Sequence, residues 1–337
     1  YTEHEHKVSA VCLSPDPEQQ MCCSADETFV NLWDIPTGTT MQTHNEHKDK
    51  ITCMTWSPCD LDLVLSASER GTVVLWKLKT KTVTLFQPQK DYICCIKASP
   101  HSSALVAIGY RSGAALIINI ELDQPRIMQK LRGFEMEITS ICWCPVEGDS
   151  LLEIAAGHSG TLVAAAGGRL IKIWDSNTGK DVFYKRLQSS SNFKVNSQDP
   201  TTKKQWLDIQ WPKSNPSSLI SSSSAPHGDL CLWNLNTRTQ QEPVIFDSSS
   251  INKHMRLIFN ITLVGDRICT FSLDRIIAVW DLKSCKGLVS WSSFGGYPHC
   301  IRASPLDPGM VAIGAGDNTV RVWNQNNKSK PFDITCL

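Results

Sequence analysis

The chain has 337 residues, of which 41% are hydrophobic, and this is long enough to bury a sizeable core. Its net charge is zero and its isoelectric point is about 7.2, so no global basic field indicates nucleic-acid binding, and any contact with RNA must be local. The sequence has no apolar run of membrane-spanning length, no signal peptide and no repeated CxxC spacing among its fourteen cysteines. This argues against a membrane partner and a zinc site, and favours reduced, buried thiols in an intracellular protein.

The predicted elements are short apolar strands separated by Gly, Asp and Ser turns, and no segment shows a sustained helical period. In chain order they include VSAVCL, ITCMTW, ALVAIGY, ALIINI, LIKIW, DLCLW, IIAVW and TVRVW. Two stretches interrupt the series: a Gly/Ala-rich insertion from about Val146 to Ala166, and a Ser/Asn-rich insertion from Lys185 to Gln205. Because loops of this length are usually functional or disordered, the second insertion is either a solvated loop or a flexible loop whose Lys203 and Lys204 contact phosphate.

One position recurs at the end of these apolar runs, usually just before Asp or Asn. It is held by Trp33, Trp76, Ile118, Trp174, Trp233, Trp280 and Trp323, at successive spacings of 43, 42, 56, 59, 47 and 43 residues. That period, with four short strands in each unit, predicts an all-β fold, a WD-repeat β-propeller of seven four-stranded blades. The repeats lie near residues 8–35, 51–78, 93–120, 138–176, 206–235, 257–282 and 299–325 of a single domain. Since the chain starts at Tyr1 without Met, we expect a fragment of a longer protein.

The remaining tryptophans and two histidines are sorted by whether the repeat explains them. Three tryptophans share one place before the turn that opens a repeat, and are predicted to be core between blades: Trp56, Trp143 and Trp211. His6 and His47, each in a Glu-His-Lys run ahead of an inner strand, are predicted to fill the consensus His position of the repeat rather than to bind metal. The repeat leaves Trp206 and Trp291 unexplained, so function is sought there.

The residue just before each inner strand of a propeller is predicted to lie at one rim of the central channel. These positions hold cations, aromatic residues and one carboxylate: Lys7, Lys50, Tyr92, Glu137, Trp206, Arg256 and Tyr297. Rings that stack on bases, cations that bind phosphate and a carboxylate that accepts from a base edge are typical of single-stranded RNA recognition. The same set suits a peptide that carries Arg or methyl-lysine, which leaves an RNA-binding module and a protein-interaction scaffold as alternatives. No enzyme and no cofactor are predicted, because the sequence has no GxSxG elbow, P-loop or metal-spaced His/Cys set.

Several stretches go beyond the generic repeat: ALVAIGYRSGAALIINI, KLRGFEMEITSICWCP, QWLDIQWP, RLIFNI, SWSSFGGYPHCIRASP and MVAIGAGDNTVRVWN. They resemble the first WD-repeat propeller of the family of the fifth Gemin protein, and the first two repeats match more loosely. The resemblance implies the RNA-binding subunit of the SMN complex, whose propeller face binds the uridine-rich Sm site of small nuclear RNA precursors and the methylguanosine cap. It implies small nuclear RNA or capped RNA and other SMN-complex subunits as partners, no DNA, and a cytoplasmic, also nuclear, location.

The resemblance also implies roles for single residues. Trp206 falls on the base-stacking tryptophan of the family, and Tyr297 falls on an aromatic residue that faces it. Arg256 and Glu137 fall on residues that contact bases or backbone, and His299 falls where the family has a Tyr. Other RNA ligands of the family lie outside this chain, which is therefore expected to hold part of the site. The rim and the second insertion add the remaining candidates: Lys7, Lys50, Tyr92, Lys203 and Lys204.

Overall fold

The computed structural model describes residues 4–16, 18–121, 124–146, 161–187, 207–222, 228–236, 242–292, 298–303, 310–315, 318, 320–324 and 334–336. These residues form seven four-stranded antiparallel sheets, here called blades 1 to 7 in chain order. Blades 1 and 2 contain β1 (Ala10–Leu13), β2 (Met21–Ala25), β3 (Val30–Asp34), β4 (Thr40–His44), β5 (Ile51–Trp56), β6 (Leu63–Ser68), β7 (Val73–Lys77) and β8 (Thr82–Phe86). Blades 3 and 4 contain β9 (Ile93–Ala98), β10 (Leu105–Tyr110), β11 (Ala115–Asn119), β12 (Arg126–Leu131), β13 (Ser140–Trp143), β14 (Leu162–Gly167), β15 (Leu170–Asp175) and β16 (Asp181–Arg186). Blades 5 to 7 contain β17 (Ile209–Gln210), β18 (Ser218–Ser222), β19 (Leu230–Asn234), β20 (Val244–Ile245), β21 (Ile258–Val264), β22 (Arg267–Ser272), β23 (Ile276–Asp281), β24 (Lys286–Ser292), β25 (Pro298–Ala303), β26 (Met310–Ala315), β27 (Val320–Asn324) and β28 (Ile334–Cys336).

Every blade has the same strand order, because each strand pairs with the next one in the sequence. The first strands of neighbouring blades contact one another around the centre, and β1 also contacts β25 and β26, so the ring closes between blades 1 and 7. The predicted fold class, an all-β seven-bladed WD-repeat propeller, is confirmed. The inner three strands of each blade lie within the predicted repeat ranges, except that β25 begins one residue before the last range, and the fourth strand of each blade lies beyond them. Among the described residues, no helix is long and apolar enough to cross a membrane.

The hydrophobic core lies between the blades. Within the described ranges, seven apolar clusters each join two neighbouring blades. At the closing junction, Val8 and Val11 of blade 1 pack with Cys300 and Ala312 of blade 7. Because each sheet is covered by its neighbours, a single repeat leaves its apolar faces exposed to water, and the ring is the unit that folds.

The tryptophans anchor these junctions. Three at the recurring position are at most 1% exposed: Trp33, Trp174 and Trp280. The three predicted core tryptophans are buried as well: Trp56, Trp143 and Trp211. The indole N–H of Trp211 also donates to the backbone carbonyl of Pro216 at 2.7 Å, which satisfies its one polar group. Trp291 packs between blades 6 and 7, so this residue, which the repeat left unexplained, belongs to the core.

A buried polar network ties the start of blade 6 to its strands. The indole N–H of Trp280 donates to Oγ1 of Thr270 at 2.8 Å, and Nε2 of His254 lies 2.8 Å from the same oxygen. On the other side of the imidazole ring, Nδ1 of His254 lies 3.4 Å from a carboxylate oxygen of Asp274. Asp274 in turn accepts the backbone N–H of Met255 at 2.8 Å, which holds the loop that enters β21.

The corresponding network in blade 1 corrects one prediction. Nε2 of His4 lies 2.6 Å from Oγ of Ser24, and Nδ1 of His4 lies 3.3 Å from Asp26, whereas the side chain of His6 is 53% exposed. The prediction that His6 fills this position is wrong, because it followed the Glu-His-Lys run instead of the distance to the Ser-Pro turn. His4 precedes Ser14 by the same ten residues by which His47 precedes Ser57. His47 does fill the position in blade 2, with Nε2 2.7 Å from Oγ of Ser66.

Both predicted insertions are shorter than their predicted bounds. The Gly/Ala-rich stretch ends in β14, a fully buried strand whose small side chains fit between blades 3, 4 and 5. Lys185 and Arg186 belong to β16, where they pair with Ile171 and Leu170, so they are not part of a loop. The rest of the second insertion, with Lys203 and Lys204, lies outside the described residues.

Candidate nucleic-acid interface

The seven inner strands all begin at the same side of the ring, which we call the entry face. This follows from the identical strand order of the blades, since β1, β5, β9, β13, β17, β21 and β25 must then run in one direction. Five predicted rim residues lie in the described loops just before these strands: Lys7, Lys50, Tyr92, Glu137 and Arg256. The two lysines and the arginine are exposed, and the tyrosine and the glutamate are half-buried. The structure therefore brings cations, an aromatic ring and a carboxylate to one face.

Two glycines that lie against these loops, Gly167 at the end of β14 and Gly228 just before β19, fix the backbone of two of them. A Cβ added at Gly167 would collide with the carbonyl oxygen of Glu137, and one added at Gly228 would collide with that of Arg256. The hydroxyl of Ser272 donates to the same Arg256 carbonyl at 3.0 Å. Because the backbones are held this closely, the Glu137 and Arg256 side chains project from defined positions on the entry face.

Arg111 is a residue of this face that the sequence analysis missed. Its guanidinium carbon lies 3.6 Å from the centre of the Tyr92 ring, and its Nε lies 3.9 Å from a carboxylate oxygen of Glu137. Arg111 is in the turn between β10 and β11, which also opens onto the entry face. Arg111 was missed because only residues that precede an inner strand were predicted to lie at the rim. The sequence signal that could have found it is a basic residue in the turn between the second and third strands of a blade.

Burial shapes the protonation of the groups around this contact. Burial raises the pKa of the Tyr92 phenol, and the positive charge of Arg111 opposes part of that rise. Burial and the negative charge of Glu137 raise the pKa of the neighbouring Cys94 thiol to about 12. Both groups are thus protonated at neutral pH, so Tyr92 offers a neutral ring and Cys94 offers no thiolate. Within the described ranges there is no cluster of three His, Cys, Asp or Glu residues that would hold a metal ion.

A cleft of about 790 Å³ opens next to Glu137. It is lined by residues 133–136 of the loop that enters β13, residues 167–170 of the turn between β14 and β15, and residues 186–187 at the end of β16. The lining combines apolar groups, such as Phe134 and Leu187, with the guanidinium groups of Arg169 and Arg186. Its size falls in the range of small-ligand sites. It extends the entry face outwards from the rim over blade 4.

The other predicted site residues are not brought into this picture. Trp206, Tyr297, Lys203 and Lys204 lie outside the described residues, and the same holds for the side chain of His299, whose backbone is in β25. The predicted sandwich of one base between Trp206 and Tyr297 therefore stays a prediction. Leu207, the residue after Trp206, is fully buried, and its carbonyl accepts the hydroxyl of Thr139 at 2.5 Å, which ties the entrance of blade 5 to blade 4.

Comparison with known proteins identifies the WD repeat and also finds relatives that match most of the chain. The family model described as "WD domain, G-beta repeat" matches residues 38–77. The chain is 32% identical to Gem-associated protein 5 of Mus musculus and 31% identical to that of Homo sapiens, in each case over 98% of this chain and 24% of the relative. It is 26% identical to component of gems protein 5 of Dictyostelium discoideum, over 85% of this chain and 27% of that protein.

The first two alignments cover nearly all of the present chain and the third covers 85% of it, although the chain spans only about a quarter of the length of these curated relatives. The aligned stretch is the one that forms the seven blades of the propeller. The chain is therefore a Gem-associated protein 5-like WD-repeat protein.

Proposed function

We propose that this chain binds small nuclear RNA through its entry face and acts within the SMN complex in the assembly of small nuclear ribonucleoproteins. The observation that carries the proposal is the similarity to Gem-associated protein 5 over 98% of the chain. The entry face supports it, because cations, an aromatic ring and a carboxylate lie there together. The proposed role is binding rather than catalysis.

The residues of the entry face suit two kinds of RNA contact, one to the phosphate backbone and one to the bases. Lys7, Lys50 and Arg256 are exposed cations that suit a phosphate backbone, which positions the RNA without reading its sequence. Glu137 carries an acceptor that suits the N–H groups of a base edge. A uridine-rich single strand fits such a face, since its bases are unpaired and free to stack.

The methylguanosine cap is the second proposed ligand. A methylated guanine carries positive charge, so two electron-rich aromatic faces hold it better than they hold a neutral base. We propose Trp206 and Tyr297 as those faces, with His299 beside them. Two stacked contacts of about 3.5 Å place the ring centroids roughly 7 Å apart.

The test is a binding titration with a capped RNA that contains a uridine run, with the uncapped RNA and an RNA without the run as comparisons. Trp206→Ala is expected to abolish cap or Sm-site binding and to leave the melting temperature unchanged. Trp211→Ala is the matched control, because it removes a buried tryptophan of the same blade and is expected to cost roughly 3–5 kcal/mol of stability. Early melting of Trp206→Ala would place that residue in the core and remove it from the site.

The competing function is that of a protein scaffold, and the same titration distinguishes it from RNA binding. If the wild-type chain binds neither the cap nor the uridine run, the proposed RNA function fails and peptide binding at the rim becomes the better explanation. If RNA binds, co-purification of the chain with other SMN-complex subunits, and imaging of a tagged chain in the cytoplasm and nucleus, test the proposed partners and location.

A further inference from the structure

Arg111 and Tyr92 form a stacked pair at the entry face, and much of the Arg111 side chain is exposed to solvent. The guanidinium carbon lies 3.6 Å from the ring centre, which is the distance of direct contact between two planar groups. The Arg111 side chain is nevertheless 57% exposed. One face of the guanidinium group is therefore closed by the ring, whereas more than half of the side chain as a whole remains accessible.

The pair sits on a rigid support. The backbone N–H of Arg111 donates to the carbonyl of Tyr92 at 2.9 Å, and the carboxylate of Asp91 accepts the N–H groups of Tyr92 at 2.7 Å and Ser112 at 3.2 Å. Gly113, at a φ of +83°, lets the same turn pass against the carbonyl oxygens of residues 134 and 136 in the loop that enters β13. The turn is thus fixed to the loops of both blade 3 and blade 4.

Glu137 orients the guanidinium group from the blade 4 side. Its carboxylate oxygen is 3.9 Å from Nε of Arg111, too far for a strong hydrogen bond, so the ion pair restrains the arginine without burying its charge. Tyr92 lies against one face of the guanidinium group and Glu137 lies at its edge, so neither of them covers the opposite face. A guanidinium plane held in this way is a platform for a nucleobase, since bases stack on arginine as they do on aromatic rings.

We propose that Arg111, stacked on Tyr92 at the junction of blades 3 and 4, is a stacking subsite for one nucleobase of a bound single-stranded RNA. The subsite rests on the RNA function proposed above and adds a contact that the strand-entrance residues do not supply. A base placed on Arg111 lies beside Glu137 and next to the cleft over blade 4, so the RNA path crosses from blade 3 to blade 4.

The experiment measures binding of a fluorescent single-stranded RNA with a uridine run to the whole chain and its variants. Arg111→Ala is expected to weaken binding about five- to tenfold, which is the lower part of the range for loss of one stacked base. Arg111→Lys is expected to give the same loss, because it retains the charge but has no plane. Arg70→Ala is the matched control: Arg70 is exposed in the equivalent turn of blade 2 and pairs with Asp49 at 3.0 Å, so its loss removes the same charge without a stack. Binding by this control is expected within twofold of wild type.

Further variants separate the support from the platform. Tyr92→Phe retains the ring under Arg111 and is expected to bind within twofold of wild type, whereas Tyr92→Ala is expected to weaken binding as much as Arg111→Ala does. The fold-loss of Arg111→Ala is also expected to be nearly the same at low and high salt, since a phosphate contact would lose its contribution as salt is added and a stacked base would not.

Three outcomes overturn the subsite. Wild-type affinity for Arg111→Ala shows that no base rests there, and wild-type affinity for Arg111→Lys shows a phosphate contact instead of a stack. If the wild-type chain itself does not bind the RNA, the proposed function fails and the subsite fails with it. If the wild-type chain binds and Trp206→Ala abolishes binding while Arg111→Ala does not change it, the proposed function stands and only the subsite is lost.

Discussion

Two buried histidines at the junction of blades 1 and 2, His44 at the end of β4 and His47 just before β5, make the stability of the chain sensitive to acid. His44 packs edge-on against Trp76, with ring centroids 4.7 Å apart, and the ring centroid of His47 is 6.3 Å from that of His44. Burial lowers the pKa of His44 to about 4. Burial, together with the nearby His44, lowers the pKa of His47 to about 4 as well. Both rings are therefore neutral at neutral pH.

The lowered pKa values predict a loss of stability in mild acid. In the unfolded chain the two histidines take up protons near pH 6.5, and in the folded chain they do so only near pH 4. Their contribution to the free energy of unfolding is therefore fully present above pH 6.5 and is lost as the pH drops towards 4. Each histidine contributes on the order of 3 kcal/mol to this loss. Melting curves from pH 7.5 to 4.5 test the prediction. His44→Leu should flatten the pH dependence, and the exposed control His6→Gln should leave it unchanged; equal slopes for wild type and His44→Leu would contradict it.

At the scale of elements, the sequence predicted the strands that are buried on both sides and missed those at the outer edge. The inner three strands of each blade are covered by two neighbours, so they appear as apolar runs, and the third of them carries the recurring Trp position near its end. The outer strands β8 (TVTLF) and β12 (RIMQKL) are largely exposed, so burial leaves little pattern in them. The strand-entrance positions were predictable from the period alone. Arg111 was not, because its role depends on contacts with Tyr92 and Glu137 from two different loops.

Because Gly167 packs against the loop that enters β13, a substitution there is predicted to change RNA binding by moving the backbone of that loop. Gly167→Ala places a methyl group against the Glu137 carbonyl, so the loop that enters β13 must shift and carry the Glu137 side chain with it. RNA affinity is expected to fall roughly tenfold, the cost of one misplaced base contact. Gly265→Ala is the control: its φ of +60° strains alanine by about 1 kcal/mol, but this turn lies at the face opposite the entry face. Calorimetry and RNA titration of both variants separate the effects, and a binding loss in Gly265→Ala would show that general destabilisation is the cause.

At the scale of the whole molecule, the proposed RNA binding has to depend on local charge, because the propeller is neutral overall. The chain has 33 basic and 33 acidic residues, so no net attraction draws the RNA to the ring as a whole. The described cations of the entry face are spread around it, and four of them, Lys7, Lys50, Arg111 and Arg256, lie in four different blades. A ring that closes between blades 1 and 7 keeps these groups at fixed mutual positions, which favours recognition by shape and stacking over bulk electrostatics.

The salt dependence of RNA binding measures that balance. A single strand loses about 0.7 in log affinity per log unit of salt for each phosphate that is neutralised, so three or four contacts give a log–log slope of roughly −2 to −3. Replacing Lys203 and Lys204 with Ala should make the slope shallower and leave the preference for uridine unchanged, because phosphate contacts position the strand and base contacts specify it. Titrations between about 50 and 200 mM salt give the slope. A slope several times steeper would mean that charge drives binding, and the stacking contacts proposed at Trp206 and Arg111 would then be secondary.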